Sequence, residues 1–300
     1  MLCNSKVAKR FLRIVGVLLA IFATARLCHH ATRGFCLSKV QSNLCHSRDT
    51  TTDQEAAFVD SLFAQKFHFL GRGLQSFVFL SEDGQYVLKL FNNRYQRKIH
   101  LFSLLSHLPL VSTWSQERVH YYQTKLAKTF ASYTLAFDAM QEKTGLLYLH
   151  LRQTSHLTTP LTVEDPLHIC HTLDPNHTGF LIQKKATLVY PTLTTYLEQR
   201  DMPAAQQALT SLIELFVWKG RHGIDDNDPL IRTNYGFIDG RAIQIDVGPL
   251  SRREKRQNVE EQKAEIEHIT TSLKNWLNEN APELTPFLDL ELHRQLSLLE

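Results

Sequence analysis

Val87-Leu88-Lys89-Leu90-Phe91 places a lysine in the middle of an apolar strand. Charged side chains are almost never fully buried without a partner, and a lone ammonium inside a sheet loses hydration that nothing replaces. Lys89 therefore calls for an anion, either a carboxylate or a phosphate. The segment before it, Leu70-Gly71-Arg72-Gly73-Leu74-Gln75-Ser76-Phe77-Val78-Phe79-Leu80, reads as strand, glycine-rich turn, strand. Glycines at 71 and 73 let backbone amides come close to a bound phosphate. Asp83-Gly84 signals a two-residue turn that returns the chain antiparallel into the Lys89 strand.

A second constellation follows more than a hundred residues later. His222-Gly223-Ile224-Asp225-Asp226-Asn227-Asp228-Pro229 precedes Asn234-Tyr235-Gly236-Phe237 and then Ile243-Gln244-Ile245-Asp246-Val247-Gly248. Asp239-Gly240 between them predicts a hairpin with arms over 235–238 and 242–245. A two-residue loop sets Asn234 opposite Ile245, and a three-residue loop sets it opposite Asp246. Either way an amide oxygen and a carboxylate meet at the open end of one hairpin, and these are the hard oxygen ligands that Mg²⁺ prefers.

Together these segments resemble the protein-kinase-like superfamily, which includes both protein kinases and small-molecule kinases such as the aminoglycoside and choline kinases. The likeness spans about residues 60 to 250. It implies an α+β, bilobal fold with ATP and Mg²⁺ as cofactors. Position by position, Gly71, Gly73 and Ser76 match the glycine-rich loop, with serine in place of its third glycine. Lys89 matches the lysine that pairs the α- and β-phosphates. Asn234 matches the catalytic-loop asparagine, and Asp246 in Asp246-Val247-Gly248 matches the metal-binding aspartate of Asp-Phe-Gly. The catalytic-loop aspartate of the family stands about five residues before that asparagine. Here Asp228 stands six before and Asp226 eight before, with Pro229 between. Proline fixes φ and removes a donor, so the loop departs from the family pattern. Asp228 is the first choice for the base and Asp226 the second, while the whole acidic cluster also reads as a solvated turn after a helix. His222-Gly223 matches a His-Gly of the small-molecule kinases and equally a helix C-cap, with Gly223 left-handed.

The resemblance also requires a glutamate for Lys89. Between Phe91 and Gln116 there is no acidic residue, and Glu117 then opens a helical pattern over 115–140 that Gly145 closes. Glu117 is the candidate partner, and its place in a first helical turn, where a carboxylate suits the helix dipole, is an equal competitor.

Three hundred residues allow one large domain or two small lobes. Residues 1–48 hold eight Lys or Arg and no Asp or Glu, which leaves 25 basic against 30 acidic residues, a net of −5, in the remainder. That sign excludes an electrostatic footprint for nucleic acid. Lys6, Lys9, Arg10 and Arg13 precede an uncharged run over 14–25, which reads as a single-pass membrane anchor if its flanking arginines snorkel. Ala23-Thr24-Ala25 equally supplies a signal-peptide cleavage site. Four of five cysteines, Cys3, Cys28, Cys36 and Cys45, lie in this region, and only Cys170 lies beyond it. The domain therefore rests on its own core rather than on disulfides. His168-Ile169-Cys170-His171 reads as plain strand rather than as a metal site, because neighbouring residues face opposite sides.

The organisation expected is an anchor or signal segment over 1–27, a polar linker over 28–51, and a kinase-like domain over 52–300. Its small lobe covers about 60–190 and its large lobe about 191–300. Thr52-x-x-Glu55 reads as a capping box opening a helix to Ala64. Further strands are expected over 145–152, 167–173 and 179–190, and helices over 203–219 and through Ile266, Ile269, Leu273 and Trp276. Ala281-Pro282-Glu283 reads as a helix start with Asn280 as cap. Only 52 residues follow Gly248, so the C-terminal lobe is reduced. Three functions fit: an ATP-dependent kinase with an unassigned protein or small-molecule acceptor, a pseudokinase scaffold, and a membrane-tethered binding domain whose motifs are coincidental.

Overall fold

The structure is a computed structural model that describes residues 3–41, 53–248, 250–253 and 258–297. Helix α1 (Cys3–Ala31) opens the chain. From Lys9 to Ala31 it is apolar and unburied, long enough to cross a membrane. The same length and composition suit a signal sequence.

After α1 the chain turns at Arg33 and Gly34, both at positive φ, and docks onto the domain. Phe35 meets Phe77 and Phe79 edge to face. Val40 is fully buried in the same cluster, and Gln41 bridges Thr178. The polar linker expected over 28–51 is therefore corrected for 32–41. Two apolar side chains in a polar stretch are enough to fasten it, since each removes its surface from water. Residues 42–52, with the rest of the expected linker and Thr52, lie outside the described residues.

Helix α2 (Asp53–Phe63) sets Val59, Leu62 and Phe63 into the core beneath a sheet. That sheet begins with β1 (Phe67–Arg72), β2 (Ser76–Ser81) and β3 (Tyr86–Phe91). The β2–β3 connection has four residues rather than two. Asp83 Oδ1 accepts from the amide of Gln85 and the hydroxyl of Ser81, so the aspartate stabilises a wider loop, with Gly84 at φ 70°. Helix α3 (Arg94–Leu105) follows, then α4 (Ser112–Ala139) and the short α5 (Gln141–Thr144), which left-handed Gly145 closes.

Strands β4 (Leu146–His150), β5 (Leu161–Glu164), β6 (Cys170–Leu173) and β7 (Phe180–Lys184) complete the sheet in the order β4-β7-β3-β2-β1-β5-β6. Among the described residues only β1 and β5 pair in parallel. The strand expected from residue 167 starts at 170, because Asp165 accepts from the amides of Leu167 and Ile169 and bends the chain. His168 sits in that bend at φ 61°, and His171 Nε2 lies 2.8 Å from the Asp165 carboxylate.

The remaining chain alternates short strands with helices. It runs through β8 (Thr187–Leu188), α6 (Val189–Glu198), α7 (Met202–Arg221), β9 (Ile224–Asp226) and α8 (Ile231–Asn234). The hairpin β10 (Tyr235–Ile238) and β11 (Arg241–Gln244) follows, then β12 (Leu250–Arg252), α9 (Val259–Asn280) and α10 (Thr285–Ser297). Pro203 lies in the first turn of α7 behind the Asp201 cap. Asn258 and Glu261 form a capping box at α9. Ala281-Pro282-Glu283 joins α9 to α10 through a single 3₁₀ turn, so Asn280 ends a helix rather than starting one.

Among the described residues the apolar side chains form three clusters. One lies between α2 and the sheet, and one among α6, α7, α9 and α10. The third joins α4, the other sheet face, Ile224, Val247 and Leu250. This third cluster brings the Lys89 strand against the segment that follows β11.

Candidate functional site

Lys89 lies on β3 between Leu88 and Leu90, both fully buried. Its Nζ crosses to the end of β11 and donates to the Ile245 carbonyl at 2.6 Å. Burial pulls the ammonium pKa down, and the Asp246 carboxylate nearby opposes that pull. The anion that a lysine in this strand calls for is therefore the partial charge of one carbonyl and the carboxylate next along the chain.

Glu117 takes no part. Tyr133 is the α4 residue stacked on Phe91, with ring centroids 4.6 Å apart, and Glu117 lies sixteen residues earlier on the same helix. At 1.5 Å per residue that is about 24 Å along the axis, and Glu117 is exposed there. The pairing expected for Glu117 is corrected on this ground. The face of α4 turned inward carries Thr129, Ser132, Tyr133 and Ala136. Ser132 donates to the Val247 carbonyl and accepts from the Leu250 amide at 2.8 Å. One hydroxyl thus pins the segment after Asp246 to α4.

The β10–β11 hairpin closes through Asp239 and Gly240, both at positive φ, with Ile238 paired to Arg241. Of the two registers that the sequence leaves open, this is the two-residue loop. Asn234 then stands opposite Ile245, whose amide donates to the Asn234 carbonyl at 2.7 Å. Asp246 is exposed beside it, and one of its oxygens accepts from the Gly248 amide at 3.0 Å. Asn234 is buried; its Nδ2 donates to the Asp228 carbonyl at 2.7 Å, and its Oδ1 accepts from Thr233.

The two candidate bases differ sharply. Asp226 is 1% exposed, and four donors saturate its carboxylate. Oδ1 takes the Asp228 amide at 3.0 Å. Oδ2 takes Lys219 Nζ at 3.0 Å, Gln244 Nε2 at 2.7 Å and the Tyr235 hydroxyl. A buried carboxylate engaged by four donors has no access to a substrate proton, so in this arrangement Asp226 is a structural anchor. Asp228 is exposed, and its Oδ2 lies 3.4 Å from Asn234 Nδ2. Gly223 takes the left-handed position after α7, and His222 bonds back to Trp218 O, the arrangement of a helix C-cap.

At the glycine-rich turn, the Gly73 amide donates to the Ser76 carbonyl at 2.9 Å, and Ser76 is buried. A Cβ at Gly71 would meet nothing within 4 Å, so the space over this turn is open. Gln75 points the other way. Its Oε1 accepts from the Tyr133 hydroxyl at 3.0 Å and lies 2.7 Å from where a Cβ on Gly248 would stand. The Gln75 side chain thereby lies against Gly248, and a side chain at that position would have to push it aside.

Sequence reasoning singled out none of Gln75, Ser132, Lys219, Tyr235 and Gln244. The signal for Lys219 and Gln244 was the one that found Lys89: a polar residue amid apolar neighbours, as in Ile243-Gln244-Ile245 and Phe216-Val217-Trp218-Lys219.

No protein-family model matches the sequence, and no curated protein matches it. Among solved structures, the chain is similar to the bifunctional kinase-methyltransferase WbdD, at 13% identity and a TM-score of 0.32, over 74% of this chain and 43% of that one. It is also similar to Rv3197 from Mycobacterium tuberculosis, solved with erythromycin, at 13% identity and a TM-score of 0.32, over 79% of this chain and 60% of that one. The chain thus spans less than two thirds of either structure, and neither likeness bears on activity or substrate.

Proposed function

We propose that this chain is a membrane-anchored phosphotransferase with a protein-kinase-like fold, transferring the terminal phosphoryl of ATP to a hydroxyl of a protein or small-molecule acceptor. The observation that carries the reading is the meeting of a buried lysine with Asp246 and Asn234 at the open end of one hairpin. In this reading Lys89 neutralises phosphate charge, and Gly71, Gly73 and Ser76 border the phosphates. Asp246 and Asn234 hold Mg²⁺, which when bound neutralises phosphate oxygens. The donor set fits that role in part. Asp246 keeps an exposed carboxylate, whereas Asn234 is buried and its Oδ1 already spends one of two lone pairs on Thr233. Asp228 receives the acceptor proton, because it alone of the two candidates is accessible. Gln75 must leave Gly248 for nucleotide to enter.

A pseudokinase reading draws on two observations: α4 presents no carboxylate to Lys89, and Gln75 fills the gap over Gly248. ATP turnover by the full chain, with Mg²⁺, separates the two. Asp246→Asn and Asp228→Asn should each abolish turnover, and only Asp246→Asn should strongly weaken Mg-ATP binding. Binding without turnover in the wild type, across protein and small-molecule acceptors, selects the scaffold.

A further inference from the structure

The helical hairpin formed by α3 and α4 ends in an apolar tip that is left uncovered among the described residues. Leu104, Leu108 and Trp114 are about half exposed, and Leu110 is fully exposed. The tip is held rigidly from behind. Phe102 packs edge to face on Trp114 and stacks on Tyr122, with centroids 5.3 and 5.8 Å away. The flanks are basic. Residues 92–128 contain six Lys or Arg and a single acid, Glu117, within a chain whose residues beyond 48 are net acidic. Lys98, Arg118 and Lys125 lie over the Tyr122, Trp114 and Tyr121 rings at 4.7 to 5.7 Å.

The root of the hairpin is tied to the segment leaving α1. The Asn93 amide donates to the Lys39 carbonyl at 2.8 Å, and Asn93 Nδ2 donates to the Gln41 carbonyl at 2.7 Å. Arg94, the next residue, begins α3. Twelve residues of α3 span about 18 Å, so the far end of α3, where the apolar tip begins, lies about that far from Asn93 and the segment it holds.

We propose that the α3–α4 hairpin lies on the surface of an anionic lipid bilayer, with Leu108, Leu110 and Trp114 in the headgroup–acyl boundary and the Arg and Lys flanks against acidic headgroups. Leucine and tryptophan beside a basic face are the side chains such an interface takes, and the opposite charge of the bilayer holds them there. An anionic bilayer answers both features at once, with acyl chains for the leucines and the tryptophan and acidic headgroups for the lysines and arginines. This inference rests on Lys9–Ala31 entering the membrane.

The test uses the full chain reconstituted into phosphatidylcholine vesicles, with and without phosphatidylserine, carrying bromines on the upper acyl chain. Two readouts are taken: retention through alkaline carbonate, and the Trp114 emission obtained by subtracting a Trp114→Phe variant. Bromine should quench that emission at least about twofold more strongly with phosphatidylserine present, given the pull of acidic lipid on Lys and Arg. Leu108→Asp/Leu110→Asp should remove the quenching without changing retention. Retained chain with unquenched Trp114 overturns the hairpin proposal and leaves the anchor standing. Quenching that survives the double substitution, or cross-linking of the tip between copies, also overturns it. Loss from the vesicles in carbonate sinks anchor and hairpin together.

Discussion

Lys219 and Asp226 show how a charge can be buried without a catalytic task. Burial pulls the Lys219 pKa down and Asp226 pulls it back, while Tyr235 and Gln244 also donate to the same carboxylate oxygen. Such a pair contributes little against an apolar replacement of both members, yet removing one strands the other. Lys219→Ala should therefore cost about 3 kcal/mol or more in urea denaturation, the usual scale for breaking a buried pair. The joint change Lys219→Met/Asp226→Leu should cost much less. A Lys219→Ala loss below about 1 kcal/mol, the range of a surface ion pair, would show that the network does not hold the 226–234 loop. The two carboxylates two residues apart thus divide the work: Asp226 fixes the loop, and Asp228 is left to face solvent.

The elements that position the site are packed against backbone as tightly as against side chains. Gly236 on β10 pairs with Leu188 on β8, and a Cβ there would run into the Thr187 carbonyl and meet Ile245 Cδ1 at 2.9 Å. Because a backbone oxygen cannot swing aside, Gly236→Ala should destabilise by about 1–3 kcal/mol, the range for overpacking, and should loosen the end of β11 that carries Ile245 and Asp246. Thermal unfolding would measure the first effect; a stability equal to wild type would mean the strand shifts freely. The hairpins were legible because period-two apolar runs end in Asp-Gly, and α7 because Pro203 and Gly223 bracket it. Helix α3 was not, since its stripe of Tyr95, Ile99 and Phe102 enters no core: none of its residues is buried, and Tyr95 and Phe102 stack on Tyr122 of α4 instead. The four-residue turn at Asp83 was missed because Asp-Gly specifies a turn, while the side-chain bonds of Asp83 decide its width. Glu117 was chosen by elimination among acids, and elimination cannot say that α4 would present hydroxyls instead.

For the whole molecule, stability should fall in acid. Burial alone would raise the Asp60 pKa, but hydrogen bonds from Thr158 and Thr159 outweigh it and leave the carboxyl below its ordinary value. Asp165 behaves alike, with burial overcome by His171 and the amides of Ile169 and Leu167. A carboxyl depressed in the folded state stabilises above its unfolded pKa and loses that contribution as pH falls through the folded one. The thermal midpoint should thus be insensitive to these groups above about pH 5 and decline below about pH 4, near the ordinary Asp value. A midpoint unchanged down to about pH 2 would contradict those bonds, since the unfolded chain would by then have taken up protons that the folded carboxylates resist. Asp60 joins α2 to the 158–159 loop, and Asp165 shapes the turn into β6, so this acid sensitivity belongs to the sheet that carries Lys89. The central claim is that Lys89, Asp246 and Asn234 form a nucleotide site. Its most direct test is the thermal midpoint of the full chain with ATP, with and without Mg²⁺, in wild type and Lys89→Met. A ligand that binds only the folded state raises its stability by mass action, so wild type should shift upward with Mg-ATP and far less with ATP alone. Lys89→Met should stay folded, because its burial no longer desolvates a charge, and should lose most of that shift. No shift in wild type at about millimolar ATP with either Mg²⁺ or Mn²⁺, where even a weak site would be filled, or an undiminished shift in Lys89→Met, would contradict the account.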